Sequence, residues 1–341
     1  MNRIFILLDD PYEKSEKKWI FDLLKRKYGN CSLVPVKRAL YDFQESGIKH
    51  TVCKYRICVQ QIWKAVRMSQ KNDVLIFWGN IQGMLGNIVI RIMGNRRKLV
   101  LLHWLTPRGS KWSYTMRKLA AENPKTKIIV NAPDSIARWR RFLKLKSVQN
   151  FYVLPDVYNS EMVFLEPKIK AKKYCFAGGM QNRNWKMIVQ IAGRLKNVKF
   201  ICVCLEKDFI SETKDMVIPQ NLTVLFQLPA EKYYDIMKNA YITLLPLKDY
   251  GAAGLINVCY SAQFGIPCIS SKTPALSQYY KKGQKYLLPD NNVSAWCSSI
   301  ERLYRMQTDE YVNFACEFQQ YIRQNMSPQR FIDRLCKIIE M

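Results

Sequence analysis

Residues 174–185 read YCFAGGMQNRNW. Four apolar residues run into Gly178 and Gly179, a short polar turn carries Arg183 and Asn184, and helical spacing begins at Trp185. A brief apolar run of this kind, followed by glycines and then a helix, is the strand–turn–helix step of a sheet covered on both faces. The step recurs downstream. Strands are predicted over 200–205, 222–226, 242–245 and 267–270, with helices over 230–239 and 255–264. Upstream, apolar runs at 4–8, 73–78, 99–102, 127–130 and 151–154 alternate with helical spacing over 16–27, up to 94, 113–121 and 135–145. Residues 156–173 lack periodicity and end in KIKAKK, which reads as a linker.

The expected fold is therefore α/β, with two doubly wound Rossmann-like domains facing a cleft. Residues 1–160 form the first domain and 161–320 the second. A C-terminal helix over 321–341 can cross back to the first domain.

The 341 residues are 48% hydrophobic and 24% charged, which excludes a disordered or fibrous chain. No apolar run reaches the length of a membrane span. The first residues, MNRIFILLDDPY, read as a buried strand closed by Asp9 and Asp10 and not as a signal peptide, so a cytoplasmic location is expected. Eleven cysteines without C-x-x-C pairs and only two histidines, His50 and His103, point away from disulfides and zinc. Net charge is +27, and residues 1–150 hold 30 Lys+Arg against 10 Asp+Glu. A basic first half calls for an anionic partner that the second half does not share.

Two loops are built for anions. In the first, Gly178 and Gly179 let backbone approach a ligand, the next helix start offers N–H groups, and Arg183 and Lys186 add charge. The second is PLKDYGAAGLIN (246–257), in which Gly251, Ala252, Ala253 and Gly254 strip bulk from the start of the helix at Leu255. Two such loops on one sheet suit a nucleoside diphosphate, although either one alone also reads as an ordinary turn.

These residues, together with GLINVCYSAQFGIPCIS (254–270), resemble the donor-binding domain of retaining GT-B glycosyltransferases, especially the large family 4 that uses nucleotide-sugars. NLTVLFQLPAEKYYDIMKNAYITLLPL (221–247) is similar to the stretch that closes over the base, with Leu228 among its donor-binding positions. LVLLHWLTP (99–107) resembles a strand ending in a functional histidine, here His103. IIVNAPDSIARWRRFL (128–143) and FYVLPDVYNSEMVF (151–164) resemble the approach to the linker and the linker itself. The resemblance covers about residues 70–290. It implies donor contacts from Gly178, Gly179, Arg183, Asn184, Lys186, Leu228, Gly251, Ala252, Ala253, Gly254, Leu255, Asn257 and Tyr260. It implies catalytic roles for His103 and Arg183, to which the end of the first strand adds Asp10 as a third candidate on its position alone, with no metal and no cofactor beyond the nucleotide-sugar expected. Two features depart from the family. Its paired glutamates are Ala252 and Tyr260 here, and its first arginine is Gly179.

His103 either faces the cleft or packs in the core. Asp9 and Asp10 either orient an acceptor hydroxyl or cap a helix. The segment from Trp104 through Arg108, Lys111, Trp112, Arg117 and Lys118, and the stretch IARWRRFLKLK (136–146) with Trp139, interleave tryptophan with cations. Such interleaving suits an anionic membrane surface, or else a solvated basic helix face. The expectation is an enzyme on the inner face of the membrane, moving a sugar to a lipid-linked or polysaccharide acceptor in cell-surface glycan synthesis. Two other readings stay open. One is a basic nucleic-acid-binding protein, although the chain holds no recognised reader module. The other is a GT-B-fold protein of another activity, epimerase-like or inactive.

Overall fold

The computed structural model describes residues 3–36, 38–40, 48–93, 97–104, 111–170, 173–180, 182–248, 251–281, 286–288 and 292–341, with backbone alone at 14, 48–50, 111 and 112. The chain divides into two compact units, Met1–Pro155 together with Pro328–Met341, and Asp156–Ser327.

The first unit holds strands β1 (Ile4–Leu7), β2 (Cys31–Leu33), β3 (Val74–Phe77), β4 (Lys98–Leu101), β5 (Thr126–Val130) and β6 (Phe151–Val153). They form one sheet in the order β2-β1-β3-β4-β5-β6. Every pairing is parallel, as Ile6 shows by facing Leu33 on one side and Ile76 on the other. Helices α1 (Lys18–Tyr28), α2 (Ile48–Met68), α3 (Asn80–Ile92), α4 (Lys111–Ala121) and α5 (Pro133–Leu143) make the crossovers. β1 and β3 are buried along their whole length. That explains their unbroken apolar runs: a strand covered on both faces has no solvent side to mark with polar residues. Pro133 opens α5 at the first position, where its missing N–H costs nothing.

The second unit holds β7 (Tyr174–Gly178), β8 (Lys199–Cys204), β9 (Leu222–Phe226), β10 (Ile242–Leu245), β11 (Cys268–Ser271) and β12 (Leu287–Leu288), with α6 (Trp185–Arg194), α7 (Glu206–Thr213), α8 (Ala230–Lys238), α9 (Leu255–Gln263), α10 (Val293–Arg305) and α11 (Thr308–Asn325). The sheet order is β12-β11-β10-β7-β8-β9, again all parallel. Counted from β7, this is the 3-2-1-4-5-6 order of dinucleotide-binding sheets. Gly265 ends α9 at φ +67, and a Cβ there would stand 2.9 Å from the Pro167 backbone. Only glycine fits the turn that seats the linker.

The last stretch is two helices, not one. α11 stops at Asn325, and α12 (Pro328–Glu340) starts after a break at Met326 and Ser327. α12 belongs to the first unit, where Lys27 pairs with Asp333 at 2.8 Å and Tyr28 donates to Glu340 at 2.8 Å. Its seven buried residues lie along one stripe.

The five cysteines of the apolar runs, Cys175, Cys202, Cys204, Cys259 and Cys268, are free thiols in the core. Trp139 corrects an expectation: it is 1% exposed and donates to the Trp104 carbonyl at 3.2 Å, so it packs the core and cannot touch a membrane. Arg108 lies outside the described residues, as do the side chains of Lys111 and Trp112. No helix among the described residues is long and apolar enough to cross a membrane.

Candidate active site

In the second sheet β7 pairs with β8 on one side and β10 on the other, so the strand order reverses between β7 and β10. Loops leaving the carboxyl ends of those two strands head in opposite directions, and ligands of open α/β sheets bind at such a switch point. The two loops are the glycine-rich ones. They are tied together by an antiparallel bridge between Arg183 and Leu247. Asn184 N–H also donates to the Pro246 carbonyl at 2.9 Å, and Lys248 N–H to that of Asn182 at 3.2 Å.

Arg183 sits at the centre, 5% exposed. Its Nε donates to the Gly178 carbonyl at 2.8 Å. The same oxygen accepts from Asn257 Nδ2 at 2.9 Å, and that amide also donates to the Tyr233 hydroxyl at 2.8 Å. Burial pulls the guanidinium below its ordinary value, with Tyr233 and Cys268 opposing. Burial likewise pushes the Tyr233 phenol up to about 12, against the pull of Arg183. A guanidinium keeps its proton even here. In such surroundings its field on an anion is stronger than that of a surface cation.

Glycine is needed on both sides of it. Gly179 adopts φ +128, and a Cβ there would stand 2.5 Å from Arg183 Nη2. Gly254 opens α9 at φ +77 with no side-chain cap, and its Cβ would reach to 3.8 Å from Arg183 Nη1. The α9 start and the guanidinium therefore converge, two sources of positive potential for one anion. Ala252, Ala253 and Gly254 are half-buried, so backbone rather than side chain lines this approach.

The remaining positions expected to meet the donor divide. Gly178 and Asn257 frame Arg183. Asn184 caps α6, its Oδ1 accepting from Met187 N–H at 3.0 Å, and Lys186 is exposed on that helix. Gly251 and Leu255 are buried, the latter at the first turn of α9. Leu228 and Tyr260 join an aromatic cluster, in which the Tyr260 ring meets Tyr234 at 4.7 Å and stacks on Phe264. The Tyr260 ring is thus nearly covered, packed between neighbouring aromatic rings.

The first sheet has its own switch point, between β1 and β3. Asp9 and Asp10 leave β1, Trp78 leaves β3, and His103 leaves the neighbouring β4. Lys17 Nζ bridges both carboxylates, at 2.6 Å each, and lies over the Trp78 ring at 5.7 Å. Burial pushes the Asp9 carboxyl up despite Lys17. Burial would lower Lys17, but the two carboxylates outweigh it and hold the amine above its ordinary value. His103 takes φ +52, a left-handed conformation that histidine adopts more readily than bulkier residues. Its ring lies 4.3 Å from Trp78 and parallel to Phe331 of α12 at 6.5 Å, while Trp19 meets both Trp78 and Phe331 edge-on. The structure thus gathers Asp10 and His103 at one edge of the sheet and adds Lys17, Trp19, Trp78 and Phe331. Apolar residues at helical spacing announce Trp19 and Phe331 only as core.

Among solved structures the chain is similar to Anabaena HepE in complex with UDP and glucose, at 12% identity and TM-score 0.68 over 100% of both chains. It is similar to sucrose-phosphate synthase from Thermosynechococcus elongatus, at 12% identity and TM-score 0.71 over 100% of this chain and 98% of that one. It is also similar to a UDP-forming alpha,alpha-trehalose-phosphate synthase from Burkholderia xenovorans in complex with glucose-6-phosphate, at 9% identity and TM-score 0.65 over 99% of this chain and 100% of that one. The fold is GT-B. No protein-family model and no curated protein sequence matches the chain. Within the GT-B frame, the glycine loops and Arg183 lie at the switch point of the second Rossmann-like unit, and the aromatic–carboxylate cluster at that of the first.

Proposed function

We propose that the protein is a glycosyltransferase that takes a sugar from a nucleotide-sugar held by the second unit to an acceptor held by the first. The buried Arg183, converging with the start of α9, carries the reading. Breaking the sugar–phosphate bond places negative charge on a leaving diphosphate, and fixed positive groups at that spot favour the transition state over the ground state. Arg183 and the α9 N–H groups supply them without a metal. Asp10, His103 and the rings of Trp78 and Trp19 receive the acceptor, the carboxylate and imidazole meeting hydroxyls and the rings meeting the apolar face of a sugar.

The transfer is of a hexose with retention, as the family resemblance implies. The acceptor is a lipid-linked or polysaccharide glycan at the cytoplasmic face of an anionic membrane, a reading supported by the net +20 of residues 1–150. Calorimetric titration with UDP-, GDP- and CMP-sugars tests the donor. One of them should bind, and should lose affinity in Arg183→Ala. Binding of none would overturn the assignment, and activity lost to EDTA and restored by magnesium or manganese would overturn the metal-free mechanism.

A further inference from the structure

Helices α2, α3 and α4 lie side by side over the first sheet, with α3 joined to α4 where Arg91 Nη1 donates to the Leu119 carbonyl at 3.5 Å. Together they carry nine Lys and Arg and no Asp or Glu. The layer also exposes apolar side chains. Val52 is 61% exposed, Val59 and Trp63 44% each, and Met68 41%, all on α2, while Ile92 at the end of α3 is 80% exposed. Val52, Arg56, Val59, Trp63 and Arg67 follow one another at helical spacing along the outer stripe of α2. The Arg67 guanidinium lies over the Trp63 ring at 5.3 Å.

A solvated basic face would keep its cations and bury its large apolar groups. This one shows both together. α5 offers the contrast: Arg140 and Arg141 are exposed there, but Trp139 is buried and no large apolar residue of that helix stands out.

We infer that the outer face of α2, with the adjoining end of α3, is a docking surface for an anionic lipid bilayer. The inference rests on the membrane reading above and gives it an address. Charge complementarity favours a surface of acidic headgroups, since nothing on these helices repels it. Valine, tryptophan, methionine and isoleucine enter the interface below the headgroups, where cations reach back to phosphate. A nucleic acid would use the cations but has no place for Val52, Val59 and Ile92.

Flotation of the full-length protein with phosphatidylglycerol/phosphatidylcholine vesicles, and with phosphatidylcholine alone, tests this. The wild type should float with the anionic vesicles only. Val59→Gln with Trp63→Gln, and separately Arg56→Glu with Arg67→Glu, should each lower partitioning at least about tenfold. Arg140→Glu with Arg141→Glu should change it less than about threefold. Melting temperature and nucleotide affinity, read on the same samples, should stay at wild-type values because all six side chains are exposed. A wild type that ignores anionic vesicles removes the membrane reading itself. A wild type that floats while the α2 variants float equally well leaves membrane binding in place and removes this surface. Binding to duplex DNA that competes with vesicles and is untouched by Val59→Gln with Trp63→Gln would assign the face to nucleic acid and overturn the inference.

Discussion

Arg183 Nε donates to the carbonyl of Gly178, the last residue of β7, at 2.8 Å. The chain thus folds its own cation back over the strand end it has just left. Asn257, from the turn of α9 beside it, donates to the same oxygen. One backbone carbonyl consequently fixes the position of a guanidinium and of a helix start, and neither can drift without the other. A site that stabilises a diphosphate gains from such fixity, because groups already in place need no reorganisation when charge develops.

Arg183→Met keeps much of the volume and removes the charge. Nucleotide affinity should fall by about 1.5–3 kcal/mol, the range for hydrogen bonds to charged groups. Desolvating a guanidinium is costly, so the ligand-free protein should lose less stability than that. Thermal shift with and without nucleotide separates the two. An unchanged nucleotide-induced shift would remove Arg183 from the donor site.

Gly179→Ala should mimic that loss. The new methyl would collide with the guanidinium, on a backbone at φ +128 that L-residues rarely adopt. Calorimetry should show nucleotide affinity reduced at least about tenfold. Wild-type affinity would show that the loop relaxes without consequence.

His103→Asn tests the first switch point. Asparagine tolerates left-handed backbone, so the fold should hold. Turnover should drop at least tenfold, about 1.4 kcal/mol of barrier, with melting temperature little changed. A large fall in melting temperature with full activity at low temperature would make His103 a packing residue only.

Ten of the strands were legible because each is a short apolar run closed by glycine, proline or a polar turn, whereas the two residues of β12 are too few to mark one. Arg183 was legible by place, four residues beyond Gly179. Its burial was not, since a cation in a polar turn reads as surface. β2 left no signal because its three residues are only half-buried. α2 left little: its inward face is Cys58, Gln61, Ile62, Ala65 and Val66, in which a thiol, an amide and an alanine dilute the apolar stripe. Gln61 is spent inside, donating to the carbonyls of Leu8 and Val34. That the last helix returns to the first domain could be expected, but which of its residues walls His103 could not, because Phe331 meets that ring from the far end of the chain.

Phe331→Ala removes that wall. The ring is nearly buried, so about 3–5 kcal/mol of stability should go, measured by urea unfolding. Phe331→Leu keeps the bulk and loses the ring stacked on His103. It should fold and still show reduced turnover with unchanged nucleotide affinity. Equal activity in Phe331→Leu and wild type would confine Phe331 to packing.

Lys17→Met carries a signed pH dependence. Asp9 is raised above its ordinary 3.8 by burial even beside Lys17, so its ionisation opposes folding, an effect absent below that value and developing as pH rises through the raised one. Lys17 is itself raised above 10.5, so its stabilising contribution is complete at neutral pH and is lost only in strong alkali. Removing the amine leaves two carboxylates without their shared cation and pushes Asp9 higher still. With Lys17 26% and Asp9 8% exposed at the side chain, the loss at pH 7.5 should be about 2 kcal/mol, between surface and buried pairs. At pH 4 it should shrink, because Asp9 then takes up a proton and no longer needs the amine. Adding Asp9→Asn should recover part of the loss at pH 7.5. Urea unfolding of the single and double variants at both pH values decides it, and a loss of equal size at the two would mean that Lys17 contributes by its aliphatic stem against Trp78 and not by its charge.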